Sequence, residues 1–273
     1  MRARGDAPKG ALLQYLGGKW KSAPWIVGKL PEHTCYTEAF GGGASVLMRK
    51  PPAKVDVYND IDGDVVNLFR VMRDPEAGKR LCELVWATPY ARDEAALSLC
   101  ATKDPIERAR RFVVRSYQII GGHATGKTVG DFRVVRYRRA KAAATKCREN
   151  VGPFTGWPER ALQHMERLRH VIIENRQALR VLQDYDKPNT LHYVDPPYMA
   201  GTRKDEANNY AHDMNDYDHV GLLAVLRSLR GIVAISTYRN PLYAQALAGW
   251  TCHEKTAHDL TNNKRVEQLW INR

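Results

Sequence analysis

The chain has 273 residues, 44% hydrophobic composition and a formal net charge of +12, enough length to bury a sizeable core in one or two domains. No twenty-residue apolar stretch occurs and the opening "MRARGDAPKGALLQY" lacks an apolar signal core, so neither a membrane span nor a secretion signal is expected. Cys35, Cys82, Cys100, Cys147 and Cys252 form no CxxC pair, which argues against a zinc site or a disulfide framework and for a reducing, cytoplasmic setting.

The first ten residues read as a loose basic tail. In "LLQYLGGKWKSAPWIVGKLPEH" two glycines make a tight turn before a short helical stretch that ends near Pro31. "CYTEAF" then reads as a strand, "GGGASVLMRK" as a turn entering a helix, and "AKVDVYNDID" as a second strand followed by acids. "GDVVNLFRVMRD" is predicted helical, with apolar Val65, Val66, Leu68, Phe69 and Met72 at helical spacing. Strand, glycine turn, helix, strand, acid is the opening of a Rossmann-like α/β unit.

That rhythm breaks beyond about residue 75. The helical "EAGKRLCELVWATPY" and "DPIERARRFVVRSYQII" precede a basic, glycine-containing stretch, so residues 76–157 read as an inserted subdomain. The rhythm resumes with a helix, the strand "HVII" and another helix. The strand "TLHYVD", the helix "HVGLLAVLRSL" and the strand "GIVAIST" follow, and "ALAGWTCHEKTA" with "KRVEQLWIN" read as a closing antiparallel pair. Residues 11–75 and 158–273 together form the predicted catalytic domain.

The charge is concentrated. Between Lys103 and Arg148 stand thirteen Lys or Arg against three acids, ten of the twelve net positive charges. Such a field suits a polyanion, because each neutralised phosphate releases condensed counterions. In "DFRVVRYRRAKAAATKCR" arginines flank Phe132, Val134, Val135 and Tyr137, which favours a contacting surface over a merely solvated face. Within it Arg133, Arg136, Arg138 and Arg139 are the phosphate candidates, and one of them has the chemistry to reach guanine in the major groove. "GGHATGKT" formally fits a P-loop, but a P-loop needs a strand before it and a helix opening at the lysine. The preceding segment is helical in pattern and the following one strand-like, so Lys127 is assigned to a phosphate-touching loop instead of a nucleotide-hydrolysing site.

In "EAFGGGASV" the run Gly41, Gly42, Gly43 is not G-x-G-x-x-G, so a nucleoside ligand without phosphates fits at least as well as a pyrophosphate. Acids after the second strand, Asp60 and Asp62, are placed to accept ribose hydroxyls. S-adenosylmethionine satisfies both features.

"YVDPPY" ends a strand on Asp195, Pro196, Pro197 and Tyr198. Prolines have fixed φ and no N–H, so the loop is rigid and donor-free, with a carboxylate, an exposed carbonyl and an aromatic plane together. Two acceptors and a flat ring receive a planar amine: one hydrogen goes to Asp195, one to the Pro196 carbonyl, and the base stacks on Tyr198. No Pro-Cys dipeptide occurs, which counts against carbon methylation of cytosine through a thiolate.

These motifs, in this order, resemble the DNA adenine methyltransferase (Dam) family from about Gln14 to Asn272: "YLGGK", "EAFGGGASV", "NDID", "YVDPPY", "ISTYRNPLY" and "RVEQLWIN". The resemblance implies a seven-stranded Rossmann-like methyltransferase sheet with a helical DNA-recognition insertion. It implies cofactor contacts at Tyr15, Lys19, Asp60 and Asp195, with Glu38 and the turn from Phe40 through Gly41 to Gly43 beside them. The implied catalytic set is Asp195, Pro196, Pro197 and Tyr198. The implied substrate is a flipped adenine in double-stranded DNA, with no obligatory protein partner. The stretch around Lys127 is similar to divergent phage-type relatives more than to GATC-specific ones. A phage or prophage setting, in restriction–modification or as a solitary enzyme, is the corresponding expectation. Methylation of the cytosine 4-amino group, and an inactive methylase-fold DNA-binding protein, are the competing readings. His212, Asp213, Asp216, Asp218 and His219 are read as a helix cap and solvated loop, not a metal site, with Tyr210 or His212 near DNA. Ser236 and Tyr238 are read as pocket lining, and Trp250 and Trp270 as core anchors.

Overall fold

The computed structural model describes residues 7–15, 17–119, 132, 151–199, 213–258 and 264–273. The chain divides into two compact units, one of residues 1–18 and 67–169, the other of residues 19–66 and 170–273.

The second unit is an α/β sheet. It opens with α1 (Ala23–Val27), β1 (Cys35–Glu38), α2 (Ser45–Arg49) and β2 (Val55–Asn59), after which α3 (Gly63–Arg73) runs into the first unit. The first unit holds α4 (Pro75–Ala87), α5 (Arg92–Leu97), α6 (Pro105–Gln118), α7 (Val151–Thr155) and α8 (Trp157–Leu168). The sheet then resumes with β3 (Val171–Glu174), α9 (Ala178–Asp184), β4 (Thr190–Val194), α10 (Asp216–Ser228), β5 (Ile232–Tyr238), α11 (Pro241–Ala246), β6 (Thr251–His258) and β7 (Lys264–Ile271).

Among the described residues the sheet has seven strands in the order β3-β2-β1-β4-β5-β7-β6. The first five are parallel, and β7 lies antiparallel between β5 and β6. This is the Rossmann-like α/β class expected from the strand and helix rhythm. Central strands bury both faces, so they are apolar without alternation: all five residues of β4 and the first six of β5 are buried. Val194, Val233 and Ile235 of these strands pack with Leu222 and Leu226 of α10 and with Tyr243 of α11. Trp250 and Trp270 lie against this cluster half-buried, consistent with the anchoring expected of them. His192 interrupts the apolar run on β4, and its Nδ1 lies 2.8 Å from Thr37 Oγ1 on β1. Burial holds His192 down at about 4, so it is a neutral tie between adjacent strands.

The helical unit starts its helices where the sequence carries Asp-Pro. Asp74 accepts from the Ala77 N–H at the head of α4 and Asp104 from the Ile106 N–H at the head of α6, each followed by proline at the first helical position. The N-terminal segment belongs to this unit. The Leu12 carbonyl accepts from Tyr117 Oη and Trp157 Nε1, each at 3.0 Å, and the Gly10 carbonyl lies 2.9 Å from His164 Nε2. Residues 9 and 10, expected as part of a loose tail, are therefore tied down: Lys9 N–H also donates to Gln163 Oε1 at 2.9 Å.

Candidate active site at the carboxyl edge of the sheet

Strand order reverses between β1 and β4: the chain runs from β1 outward to β2 and β3, then returns to place β4 on the other side of β1. Ligands of open α/β sheets bind beyond the carboxyl ends of strands at such a switch point. Two sequence motifs meet there, the glycine turn after Glu38 of β1 and Asp195 to Tyr198 after Val194 of β4. Glu38 and Tyr193 are register partners in the two strands.

Asp195 follows β4 with its side chain 17% exposed, and its Oδ2 lies 3.0 Å from Lys19 Nζ, whose side chain is 6% exposed. Tyr198 Oη donates to Asp195 Oδ1 at 3.2 Å. The Lys19 ammonium also stands 4.8 Å from the Tyr198 ring centroid. Burial alone depresses a lysine, yet Lys19 is held above its ordinary value by Asp195, with Tyr193 and Glu267 adding to it. Burial lifts the Asp195 carboxyl while Lys19 pulls it back; with the ammonium in contact, the carboxylate is the ionised partner of a salt bridge. Tyr198 meets Tyr238 at the end of β5, with ring centroids 4.5 Å apart and planes inclined by 46°. A small, shallow cleft opens beside them, lined also by Met199, Thr237 and Asn240.

On the β1 side, Glu38 is 3% exposed and accepts at Oε2 from Tyr36 Oη, at 3.0 Å, and from the Leu47 N–H, at 2.9 Å. Burial pushes its carboxyl up to about 8, so it is largely protonated at neutral pH. The turn itself is shaped by the protein. A Cβ on Gly41 would fall 2.2 Å from Tyr58 Cε2 and 2.9 Å from the Asn59 carbonyl oxygen. Gly42 has φ of 46° and Ala44 of 53°, the left-handed region. Asp60 accepts from the Gly42 N–H at 2.7 Å through one oxygen and from the Asp62 N–H at 2.9 Å through the other. Tyr58 Oη donates to the Gly42 carbonyl at 2.8 Å. Phe40 packs half-buried against the apolar cluster of β4 and β5, and Gly43 is half-buried in the turn.

Of the residues expected at the site, the structure gathers Lys19, Asp195, Pro196, Pro197 and Tyr198 into one corner and Glu38, Phe40, Gly41, Gly43 and Asp60 into the neighbouring turn. Tyr15 lies in the helical unit, where its carbonyl accepts from the Gly18 N–H at 3.1 Å. Lys127, Arg133, Arg136, Arg138 and Arg139, with Tyr210 and His212, lie outside the described residues, as does the P-loop-like run. The element before that run is α6, not a strand. The expected cap is present, as Asn215 and Asp218 form a reciprocal capping box on α10. His219, however, expected in the solvated loop, is buried in the core with Nδ1 2.8 Å from Tyr243 Oη. Ser236 Oγ lies 2.9 Å from Tyr193 Oη. Ser22, whose hydroxyl donates to Glu267 at 2.7 Å, was not legible in the sequence. It becomes visible only once β7 is seated beside β5.

A Rossmann-like α/β enzyme with an acidic, aromatic corner at its switch point is the class that fold and site define. Residues 15–258 match the D12 class N6 adenine-specific DNA methyltransferases, and the chain belongs to that family. Its reaction is methylation of adenine in DNA. The chain is also similar to the type II methyltransferase M1.LlaDCHI of Lactococcus lactis subsp. cremoris, with 24% identity over 260 residues, covering 88% of this chain and 85% of that one. Among solved structures it resembles the putative methyltransferase yhhF from Escherichia coli at 11% identity and a TM-score of 0.34, over 92% of this chain and 81% of the other. The fold assignment rests on the strand order, not on that likeness.

Proposed function

We propose that the protein is a site-specific DNA methyltransferase that moves a methyl group from S-adenosylmethionine to the 6-amino group of an adenine flipped out of double-stranded DNA. The observation that carries the reading is the meeting of Asp195 and Tyr198 with the glycine turn at the β1/β4 switch point. The residues present fit the donor: Asp60 at the end of β2 offers acceptors for ribose hydroxyls, and Phe40, Gly41 and Gly43 line the adjoining turn. Glu38, Lys19 and Asp195 complete that set, and Tyr15 is assigned to the cofactor on its place in the YLGGK motif. The donor supplies an electrophilic methyl on a cationic sulfur.

The chain's own residues do the rest. Asp195 and the Pro196 carbonyl accept the two amine hydrogens, while Pro197 keeps the loop rigid and donor-free. Tyr198 stacks on the base. Held this way, the amine nitrogen approaches tetrahedral geometry and its lone pair is freed for in-line attack. The ammonium forms as the carbon–sulfur bond breaks, its electron pair leaving with the neutral thioether. That ammonium is stabilised by a carboxylate already in place, which is electrostatic preorganisation, and one amine proton is then released to solvent. Residues 76–157, with Lys127, Arg133, Arg136, Arg138 and Arg139, are assigned to DNA recognition on their charge. No obligatory protein partner is required, and a bacterial or phage-infected cytoplasm is the proposed setting. Among the described residues no helix is long and apolar enough to cross a membrane.

Base-modification sequencing of DNA from cells expressing the protein, with mass spectrometry of the nucleosides, tests the reading. N6-methyladenine in one sequence context is expected; 4-methylcytosine alone, or no modified base, would refute it.

A further inference from the structure

The β6–β7 ribbon and the segment after Lys19 form a surface that the catalytic reading leaves unused. The last register pair between β5 and β7 is Tyr238 with Glu267, yet β6 and β7 stay paired through Thr256 with Val266, Ala257 with Arg265 and His258 with Lys264. At about 3.4 Å per residue, the two-stranded ribbon runs on roughly 10 Å past the end of β5. Because β5 is parallel to β4, the overhang lies at the sheet edge that carries Asp195 and Tyr198.

The segment after Lys19 is moored to the root of that overhang by the 2.7 Å hydrogen bond from Ser22 Oγ to Glu267 Oε2. Residues 19–29, "KWKSAPWIVGK", hold three lysines and no acid. Lys21 is exposed. Lys255 Nζ stands 5.7 Å from the ring centroid of Trp25, and the Arg49 guanidinium 5.0 Å from that of Trp20. The ribbon's acids are already engaged: Glu254 accepts from Arg239 at 2.6 and 3.0 Å and from Gln268 at 2.8 Å, and Glu267 takes the Ser22 hydroxyl.

We propose that Lys21, Lys255 and Arg49, arrayed with Trp20 and Trp25, grip the sugar–phosphate backbone of the DNA duplex beside the target adenine. The proposal rests on the reading that DNA enters at the Asp195 corner. Cations seated on aromatic faces are partly ordered before binding, so less side-chain entropy is lost when a phosphate arrives. Their charge attracts every sequence alike, which separates this surface from base readout. It is also separate in the sequence from the arginine-rich stretch between Lys103 and Arg148.

The test compares the full-length protein with its Lys21→Glu/Lys255→Glu variant on double-stranded DNA at several salt concentrations, with methyl transfer and melting temperature measured alongside. The variant is expected to bind all sequences about ten- to a hundredfold more weakly at low salt. Its log K against log salt slope should flatten by about 2, one per lost phosphate contact. KM for DNA rises, while kcat at saturating DNA and the melting temperature stay as in the parent. An unchanged affinity and slope, or a fall in kcat with KM unchanged, overturns the proposal. Lys21→Glu alone, at an exposed position, should flatten the slope by about 1, and an unchanged slope there overturns it even where the double variant does not fold. Absence of methylated adenine with the unmodified protein would instead defeat the proposed function, while the binding comparison would still be read on its own.

Discussion

Lys19 Nζ and Asp195 Oδ2 lie 3.0 Å apart in a corner where neither side chain is more than 17% exposed. The acceptor proposed for the substrate amine is thus charged and held in place before any base arrives. Removing one member of a largely buried pair strands the other charge, whereas removing both strands none. Lys19→Met is therefore expected to lower unfolding stability by about 3 kcal/mol, and addition of Asp195→Asn to that variant should restore part of the loss. Denaturant unfolding of the two single variants and the double variant reads the coupling. Strictly additive losses would show that the pair does not act as a unit.

Asp195→Ala is expected to abolish methyl transfer while leaving most of the DNA affinity, because that affinity is assigned to cations elsewhere. Single-turnover methylation beside a DNA-binding titration separates the two. Retained transfer would remove Asp195 from the mechanism.

Tyr198 offers a sharper division of roles. Its hydroxyl donates to Asp195 at 3.2 Å, the carboxylate that must instead accept from the adenine amine. The ring is the part expected to hold the base. Tyr198→Phe should keep transfer within roughly threefold of the parent, whereas Tyr198→Ala should lose about ten- to a hundredfold, the range of a stacking contact worth ~1–3 kcal/mol. Equal losses in both variants would mean that the hydroxyl, not the ring, is the working group.

Glu38 makes stability depend on pH. Its carboxyl sits at about 8 in the folded protein against an ordinary 4.5. Below about 4.5 both folded and unfolded chains keep the proton. Between 4.5 and 8 the unfolded chain releases it and the folded chain does not, so this group's contribution falls as pH rises and levels off above 8. The total is at most a few kcal/mol, at ~1.4 kcal/mol per pKa unit. Glu38→Gln has no proton to release and can still accept from Tyr36 and Leu47. Its stability relative to the parent should improve steadily from pH 5 to pH 8 in the ligand-free enzyme. A constant difference across that window would show that Glu38 is ionised throughout.

Motifs confined to a few neighbouring residues were readable because their chemistry is local: Asp195-Pro196-Pro197-Tyr198 carries its own rigidity, and Asp60 follows its own strand. The strand and helix rhythm likewise gave the α/β class. What the sequence hid depends on contacts made through the sheet. Lys19 reads as a cofactor contact, but only the folded chain brings it to Asp195. Glu38 reads as an acid and becomes a largely neutral group because burial outweighs the hydrogen bonds it accepts from Tyr36 and Leu47. The short helices α5 and α11 carry no readable periodicity, since six residues scarcely establish a period. In the structure Asn240 caps α11 ahead of Pro241, accepting from the Leu242 N–H at 2.8 Å through Oδ1.

The glycine turn shows how one residue answers two demands. Glycines there are expected to admit a ligand, but at Gly41 the space is taken by the protein: an added Cβ would meet Tyr58 Cε2 at 2.2 Å and the Asn59 carbonyl at 2.9 Å. Tyr58 is itself fully buried and anchored to the Gly42 carbonyl, so neither the ring nor the strand behind it can yield cheaply. Overpacking of this kind costs about 1–3 kcal/mol or more. Gly41→Ala should therefore lower the melting temperature of the ligand-free enzyme by several degrees, since ~1 kcal/mol shifts a domain of this size by about 2–4 °C. It should also weaken S-adenosylmethionine binding, through the displaced turn. Calorimetry without cofactor decides the order of cause. A variant that melts like the parent yet fails to bind the cofactor would mean that the ligand, and not Tyr58, sets the need for glycine at this position.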